Sequence, residues 1–320
     1  MYSSVFPSNE RRQRALFMQD SPGGVTNPTF VYAHPKRCHL LASSFAKGSS
    51  KYVTQAEHIL RTVIQRYGSE SHYFEEICGE VLSTSDSVDV FRRYLDLHNL
   101  SCEIRLVSDA ASPTSFKGKC LYIRVPTSYR KYSILGVANH ELGTHFIRRL
   151  NEGRQIWRRK HGAFDLRSKI LSTEEGLATL NTHIHARAKY LWKAALHYYS
   201  TCMAMRMTFR DLYDHLEQFI DDPERRWSEC LRVKRGISDT TQLGCFAKDQ
   251  CYLSGAIQLL QNRHHIDFRL LYAGKIHWKD LDKVCDLSVP SSRLVCPFFL
   301  RDPHAYLSLL DDIAAHNGIP

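Results

Sequence analysis

Asn139-His140-Glu141-Leu142-Gly143-Thr144-His145-Phe146 is the stretch on which the reading of this chain turns. It lies inside a helix predicted over 133–150. A step of four residues along an α-helix turns about 400°, which leaves two side chains roughly 40° apart on one face. A step of five turns about 500° and parts them by roughly 140°. His140 and His145 are five apart, so for both imidazoles to reach one point the helix must widen locally, most simply through a π-type turn. Gly143 lies inside the interval and tolerates such distortion. Gly136, one turn before His140, allows close packing nearby.

The residue types suit a metal. Two imidazoles are good zinc ligands, and a glutamate beside the first of them is placed to act as a base on water. The pattern is H-E-x-x-H with one extra residue between the histidines. A catalytic zinc also takes a third protein ligand and keeps one position open. Ser172-Thr173-Glu174-Glu175-Gly176-Leu177-Ala178 begins a second predicted helix, with Ser172 or Thr173 as a plausible cap, and brings two glutamates that could supply that ligand.

Outward from these stretches, apolar spacing predicts helices over 54–67 and 87–98. The period then changes. Cys102, Ile104 and Leu106 alternate with Glu103, Arg105 and Val107, and 120–125 reads as a second strand ended by Pro126. Turn formers between them (Ser108, Asp109, Ser112, Pro113, Gly118) suggest a β-hairpin. Helices are expected again over 133–150, 173–205, 208–220, 223–233, 247–262 and 303–315. The expected class is α+β, mostly helical, with a small β-sheet before the helix that holds the histidines. Residues 1–35, polar and punctuated by Pro and Gly, read as weakly ordered, and 36–320 as a single catalytic domain.

Composition narrows the function classes. The 320 residues are 43% hydrophobic and 24% charged, an ordinary globular mixture that excludes a disordered or collagenous chain. No apolar run reaches the ~18–20 residues of a membrane span, and the first residues lack the pattern of a secretory signal. The ten cysteines contain no C-x-x-C and read as reduced thiols. The net charge of +10 favours polyanionic partners, but no zinc-finger, RNP or K-homology pattern supports nucleic acid.

The chain resembles the microtubule-associated tyrosine carboxypeptidases, which share an H-E-x-x-x-H motif and an E-G-L-A segment with bacterial QEGLA-motif proteins. The resemblance runs from about Asn27 to about Asp282. It includes 139–145, 173–178, Arg232-Val233-Lys234-Arg235-Gly236 and Gly244-Cys245-Phe246-Ala247-Lys248-Asp249-Gln250. It implies a zincin-like metallopeptidase fold, one zinc ion held by His140, His145 and Glu175, and Glu141 as general base. Glu175 takes the ligand role because it directly precedes the glycine of E-G-L-A. Glu174, where the bacterial motif has Gln, becomes a supporting or substrate-facing carboxylate. The activity implied is removal of the C-terminal tyrosine of α-tubulin, in the cytoplasm and on the microtubule cytoskeleton, with no nucleic acid and no membrane insertion. Family members carry long polar N-terminal extensions, where this chain has about 35 residues before the presumed core.

A carboxypeptidase must hold a free α-carboxylate, and Arg232, Lys234 and Arg235 form a compact basic group for it. Tyr252, one turn beyond Lys248, is a candidate oxyanion donor. Between the two motif helices lie Arg148, Arg149, Arg154, Arg158, Arg159, Lys160, Arg167 and Lys169, opposed only by Glu152 and Asp165. Tubulin tails are rich in glutamate, so this run would speed the encounter. The alternatives are a zinc peptidase acting on another acidic-tailed protein and an inert microtubule- or polyanion-binding protein.

Overall fold

The computed structural model describes residues 2–20, 24, 26–108 and 112–320. The elements used below are α1 (Glu10–Gln19), α2 (Val53–Tyr67) and α3 (Thr84–Leu97), then β1 (Glu103–Val107), β2 (Thr114–Lys117) and β3 (Cys120–Arg124). After the sheet come α4 (Ile134–His140), a π-helical turn (Glu141–Phe146), α5 (Ile147–Glu152), α6 (Leu171–His183) and α7 (Trp192–Ala204). The last are α8 (Pro223–Val233), α9 (Gln250–Gln261) and α10 (Pro303–His316), with shorter helical turns between them. The class is α+β and mostly helical, as the periodicity implies. Among the described residues no helix is long and apolar enough to cross a membrane.

The chain gathers into two compact units. The first comprises Met1–Phe74 and Leu191–Leu253, the second Glu75–Tyr190 and Ser254–Pro320. In the first unit, Ala56, Ile59, Leu60 and Val63 form the buried stripe of α2, and most of α7 is buried. The N-terminal segment expected to be weakly ordered contributes α1. Phe17 of that helix is 1% exposed and packs edge-on to Phe209 and Tyr213, with Trp227 beside them. One large aromatic in a polar stretch suffices to anchor the helix, because its buried area dominates the local energetics. Met1, Ser21, Pro22, Gly23 and Val25 of that segment lie outside the described residues.

The second unit carries the sheet, and here the expected hairpin is corrected. β1 and β3 pair in parallel, from Glu103 opposite Cys120 to Val107 opposite Arg124. The hairpin is formed instead by β2 and β3, antiparallel around Gly118 at φ 64°. Thr114-Ser115-Phe116-Lys117 is too short and too closely flanked by turn residues to show alternation, so the strand hides in what reads as a loop. The expected helix over 173–205 is also divided, into α6 and α7. The intervening Ile184–Leu191 contains neither Gly nor Pro to mark the break.

The sheet positions the histidine helix. Leu121 and Ile123 of β3 share one buried cluster with Phe91 and Leu95 of α3, Ala138 of α4, and Leu142 and Phe146 of the π turn. Phe116 of β2 stacks on Phe146 with centroids 5.0 Å apart. Burial of these side chains holds the π turn against the sheet, at about 1.5–3 kcal/mol for each large apolar side chain.

Candidate metal centre

His140 ends α4, and the next six residues form the π turn that the five-residue spacing requires. The imidazoles of His140 and His145 stand with centroids 4.9 Å apart. Gly143 has a different reason from the expected one. A Cβ there would lie 2.3 Å from the hydroxyl of Tyr94 and 3.0 Å from Phe299, so the glycine permits close approach. Gly136 does what the sequence suggests: a Cβ there would meet the carbonyl of Thr182 at 2.3 Å, so α4 can lie against α6.

Glu175 on α6 reaches both histidines. Its Oε2 lies 3.8 Å from Nε2 of His140 and 3.4 Å from Nε2 of His145. Ligands about 2.0–2.1 Å from a tetrahedral zinc are themselves roughly 3.3 Å apart, so these separations are near those of a common ion. Among the described residues, His140, His145 and Glu175 are the one group of this kind, with candidate ligand atoms all within 4.8 Å of one another.

The outer nitrogens are already engaged. Thr182 donates its hydroxyl proton to the carbonyl of Ala178 (2.8 Å) and so accepts from Nδ1 of His140 at 3.1 Å. Nδ1 of His145 donates to Oε1 of Glu174 at 2.7 Å. Both contacts occupy Nδ1 and turn Nε2 of each ring toward Glu175, the arrangement by which neighbouring groups orient histidine ligands. The donor chemistry therefore fits zinc.

Charge around the centre is balanced by buried groups. Glu174 is 5% exposed and pairs with Arg148 and, at 2.8 Å, with Lys275. Burial pushes its carboxyl up, but Arg148, Lys275 and His145 outweigh that and hold it well below its ordinary value. Burial lowers the pKa of His145, yet the hydrogen bonds of Glu174 and Glu175 prevail and push it up to about 10. Burial and the neighbouring His145 lower that of His140. Arg148 is thus no part of a surface run. It is fully buried, with Nε on the carbonyl of Leu271 and an Nη on that of Ile276. Arg149, Arg154, Arg158, Arg159, Lys160, Arg167 and Lys169 are exposed.

Glu141 follows His140 directly. Thr114, at the start of the edge strand β2, donates its hydroxyl to Oε1 of Glu141 at 3.0 Å, leaving the second carboxylate oxygen for chemistry. Nothing in the period of 113–118 signals Thr114, because the strand itself is not visible there. Arg148, by contrast, stands three residues after His145, on the same helical face, and Thr182 stands seven after Glu175. Helical spacing alone could have found both.

The four residues offered for substrate lie in the first unit, whereas His140, Glu141, His145 and Glu175 lie in the second. Lys234 is fully buried and gives its ammonium to the carbonyls of Ala204 (3.0 Å), Met207 (2.6 Å) and Gln242 (3.1 Å). Three donors meet three acceptors, which leaves no N–H for a substrate carboxylate. Arg232 pairs with Asp249 at 2.7 Å. Arg235 lies over the ring of Phe6, and its buried Nε has no hydrogen-bond partner among the described residues. Burial and then Arg232 lower its pKa to about 10. Tyr252 is half-buried with the ammonium of Lys248 5.8 Å from its ring centre.

Comparison with known proteins places the chain among the carboxypeptidases. A family model described as "Microtubule-associated tyrosine carboxypeptidase" matches residues 27–309, and the chain belongs to that family. It is 33% identical over 327 residues to human "Microtubule-associated tyrosine carboxypeptidase 1", covering 100% of this chain and 68% of that protein. It is 34% identical over 329 residues to mouse "Putative tyrosine carboxypeptidase MATCAP2", covering 99% of this chain and 62% of that one. A solved structure, the putative lipoprotein from Colwellia psychrerythraea, aligns at a TM-score of 0.49 with 12% identity, over 90% of this chain and 53% of its own.

Proposed function

We propose that this chain is a zinc-dependent carboxypeptidase that removes the C-terminal tyrosine of α-tubulin, with one zinc held by His140, His145 and Glu175. The observation that carries the reading is the convergence of both Nε2 atoms on Oε2 of Glu175, at 3.8 and 3.4 Å, with Glu141 adjacent. The names of its relatives support the substrate: a tyrosine carboxypeptidase associated with microtubules.

When bound, zinc supplies Lewis acidity toward the scissile carbonyl and toward water. The chain's own groups do the rest. Glu141, steadied by Thr114, takes a proton from the attacking water and later delivers it to the leaving amine of tyrosine as the C–N bond breaks. His140 and His145 keep their Nε2 atoms on the centre because Thr182 and Glu174 hold the opposite nitrogens. The exposed cations of 149–169 attract the glutamate-rich tail. The setting that follows is the cytoplasm and its microtubules, without nucleic acid or membrane insertion.

The test is release of free tyrosine from tyrosinated tubulin by the zinc-loaded chain and by Glu141→Gln. The parent releases tyrosine. The variant keeps its zinc and loses activity about 10²–10⁴-fold, the usual worth of a positioned base. A variant that cleaves as the parent does removes Glu141 from its role. Cleavage of another acidic-tailed protein in preference to tubulin would correct the substrate.

A further inference from the structure

A five-residue spacing between two ligands demands that the helix be widened at one place and held there. The hydroxyl of Thr144, which is fully buried inside the π turn, shows how. It donates to the carbonyl of Asn139, five residues back, at 2.8 Å. Threonines in ordinary helical turns of the same protein reach four residues back: Thr179 to the carbonyl of Glu175 at 2.7 Å and Thr182 to that of Ala178 at 2.8 Å. Four is the usual step for a hydroxyl folding onto an α-helix. The Thr144 bond therefore matches the pitch of the widened turn, and regular α-helical register would offer it the carbonyl of His140 instead.

The same hydroxyl is tied to the helix that carries Glu175. Nδ2 of Asn181, on α6, donates to Oγ1 of Thr144 at 2.9 Å. The backbone carbonyl of Asn181 accepts from Nδ2 of Asn139 at 3.2 Å. Asn181 is itself fixed by Tyr306, whose hydroxyl donates to its Oδ1 at 2.7 Å, and Asn139 by Tyr94, whose hydroxyl donates to its Oδ1 at 3.0 Å. Every side chain in this set is at least 95% buried, and the donors and acceptors named are satisfied within it. A satisfied buried network specifies one geometry, because any other arrangement leaves polar groups unpaired.

We propose that Thr144 is a positioning residue: its hydroxyl, held by Asn181, fixes the π register that turns both imidazoles toward Glu175. The proposal rests on the zinc reading above, since it concerns how the chain sets its ligands. It acts through His140 and His145 and not on substrate.

The test compares Thr144→Val, which keeps the shape and loses the hydroxyl, with Thr144→Ser, which keeps the hydroxyl. Each purified protein is titrated with zinc against a competing chelator, and with cobalt(II) followed by its visible absorption. The expected result is zinc binding weakened about 10–100-fold in Thr144→Val, the range known for lost support around metal ligands, with an altered cobalt spectrum at saturation. Thr144→Ser returns both to the parent's values. A role in stability alone would lower the melting temperature and leave the saturated cobalt spectrum unchanged, and that result overturns the proposal. So does a serine variant as impaired as valine. If valine prevents folding, Thr144→Ala removes the same hydroxyl without adding an atom and carries the comparison. A parent that takes up no metal would instead overturn the zinc reading, and this proposal with it.

Discussion

Nδ1 of His145 donates to Oε1 of Glu174 at 2.7 Å, so the glutamate next to the proposed ligand Glu175 orients the imidazole of the proposed ligand His145. Its other oxygen meets the buried guanidinium of Arg148. Glu174→Gln keeps the volume and removes the charge. We expect zinc affinity to fall about 10–100-fold. The variant should also lose about 3–5 kcal/mol of stability, because Arg148 is left buried without its counter-ion. Chelator competition and thermal melts measure the two effects. Affinity equal to the parent's would show that His145 needs no such partner.

Gly136 lets α4 approach α6, and the residue it faces, Thr182, also holds Nδ1 of His140. A methyl group there must displace backbone, since the obstacle is a carbonyl oxygen. Gly136→Ala is expected to cost about 1–3 kcal/mol by overpacking and to weaken zinc binding through Thr182. A variant with parental melting temperature and affinity would contradict the close approach.

The exposed cations of 149–169 give a salt signature. Raising ionic strength from about 20 to 200 mM should lower kcat/KM on a glutamate-rich tail about tenfold, and on a neutral peptide ending in tyrosine far less, because screening acts on the long-range attraction. Steady-state assays on the two substrates decide it. Equal slowing removes the steering role.

In the first unit, Glu229 is fully buried between His197 at 2.8 Å and Arg225 at 3.3 Å. Burial pushes its carboxyl up, but His197, Arg225 and Arg232 outweigh burial and hold it well below its ordinary 4.5. A carboxyl depressed in the folded state gives stability that is complete above its unfolded pKa and is lost as pH falls below it. Thermal melts between about pH 3 and 6 should therefore fall more steeply for the parent than for Glu229→Gln. Parallel curves would mean that Glu229 titrates alike folded and unfolded.

What the sequence disclosed follows from periodicity. The spacing of His140 and His145 demands a widened turn, and the structure has a π turn there. The helix over 223–233 matches to the residue, and the bounds of 54–67 and 303–315 differ by one residue at one end. What stayed hidden depends on long-range contacts. A four-residue strand carries no readable period, so β2 and with it Thr114 were invisible, and the parallel partner of β3 could not be chosen. Arg148, three residues after His145, was legible from helical spacing and passes for one more surface cation only while its helical face is left out of account. Lys234 looked free because its three acceptors, the carbonyls of Ala204 at the end of α7, Met207 and Gln242, are brought to it only by the folded chain.

Zinc K-edge X-ray absorption of the metal-loaded protein tests the central claim most directly. The account predicts one zinc per chain, with imidazole nitrogen and carboxylate oxygen at about 2.0–2.2 Å and no sulfur. The nitrogen signal should fall in both His140→Ala and His145→Ala. A sulfur shell near 2.3 Å, which would put cysteine at the metal, or a protein that holds no zinc, would contradict it.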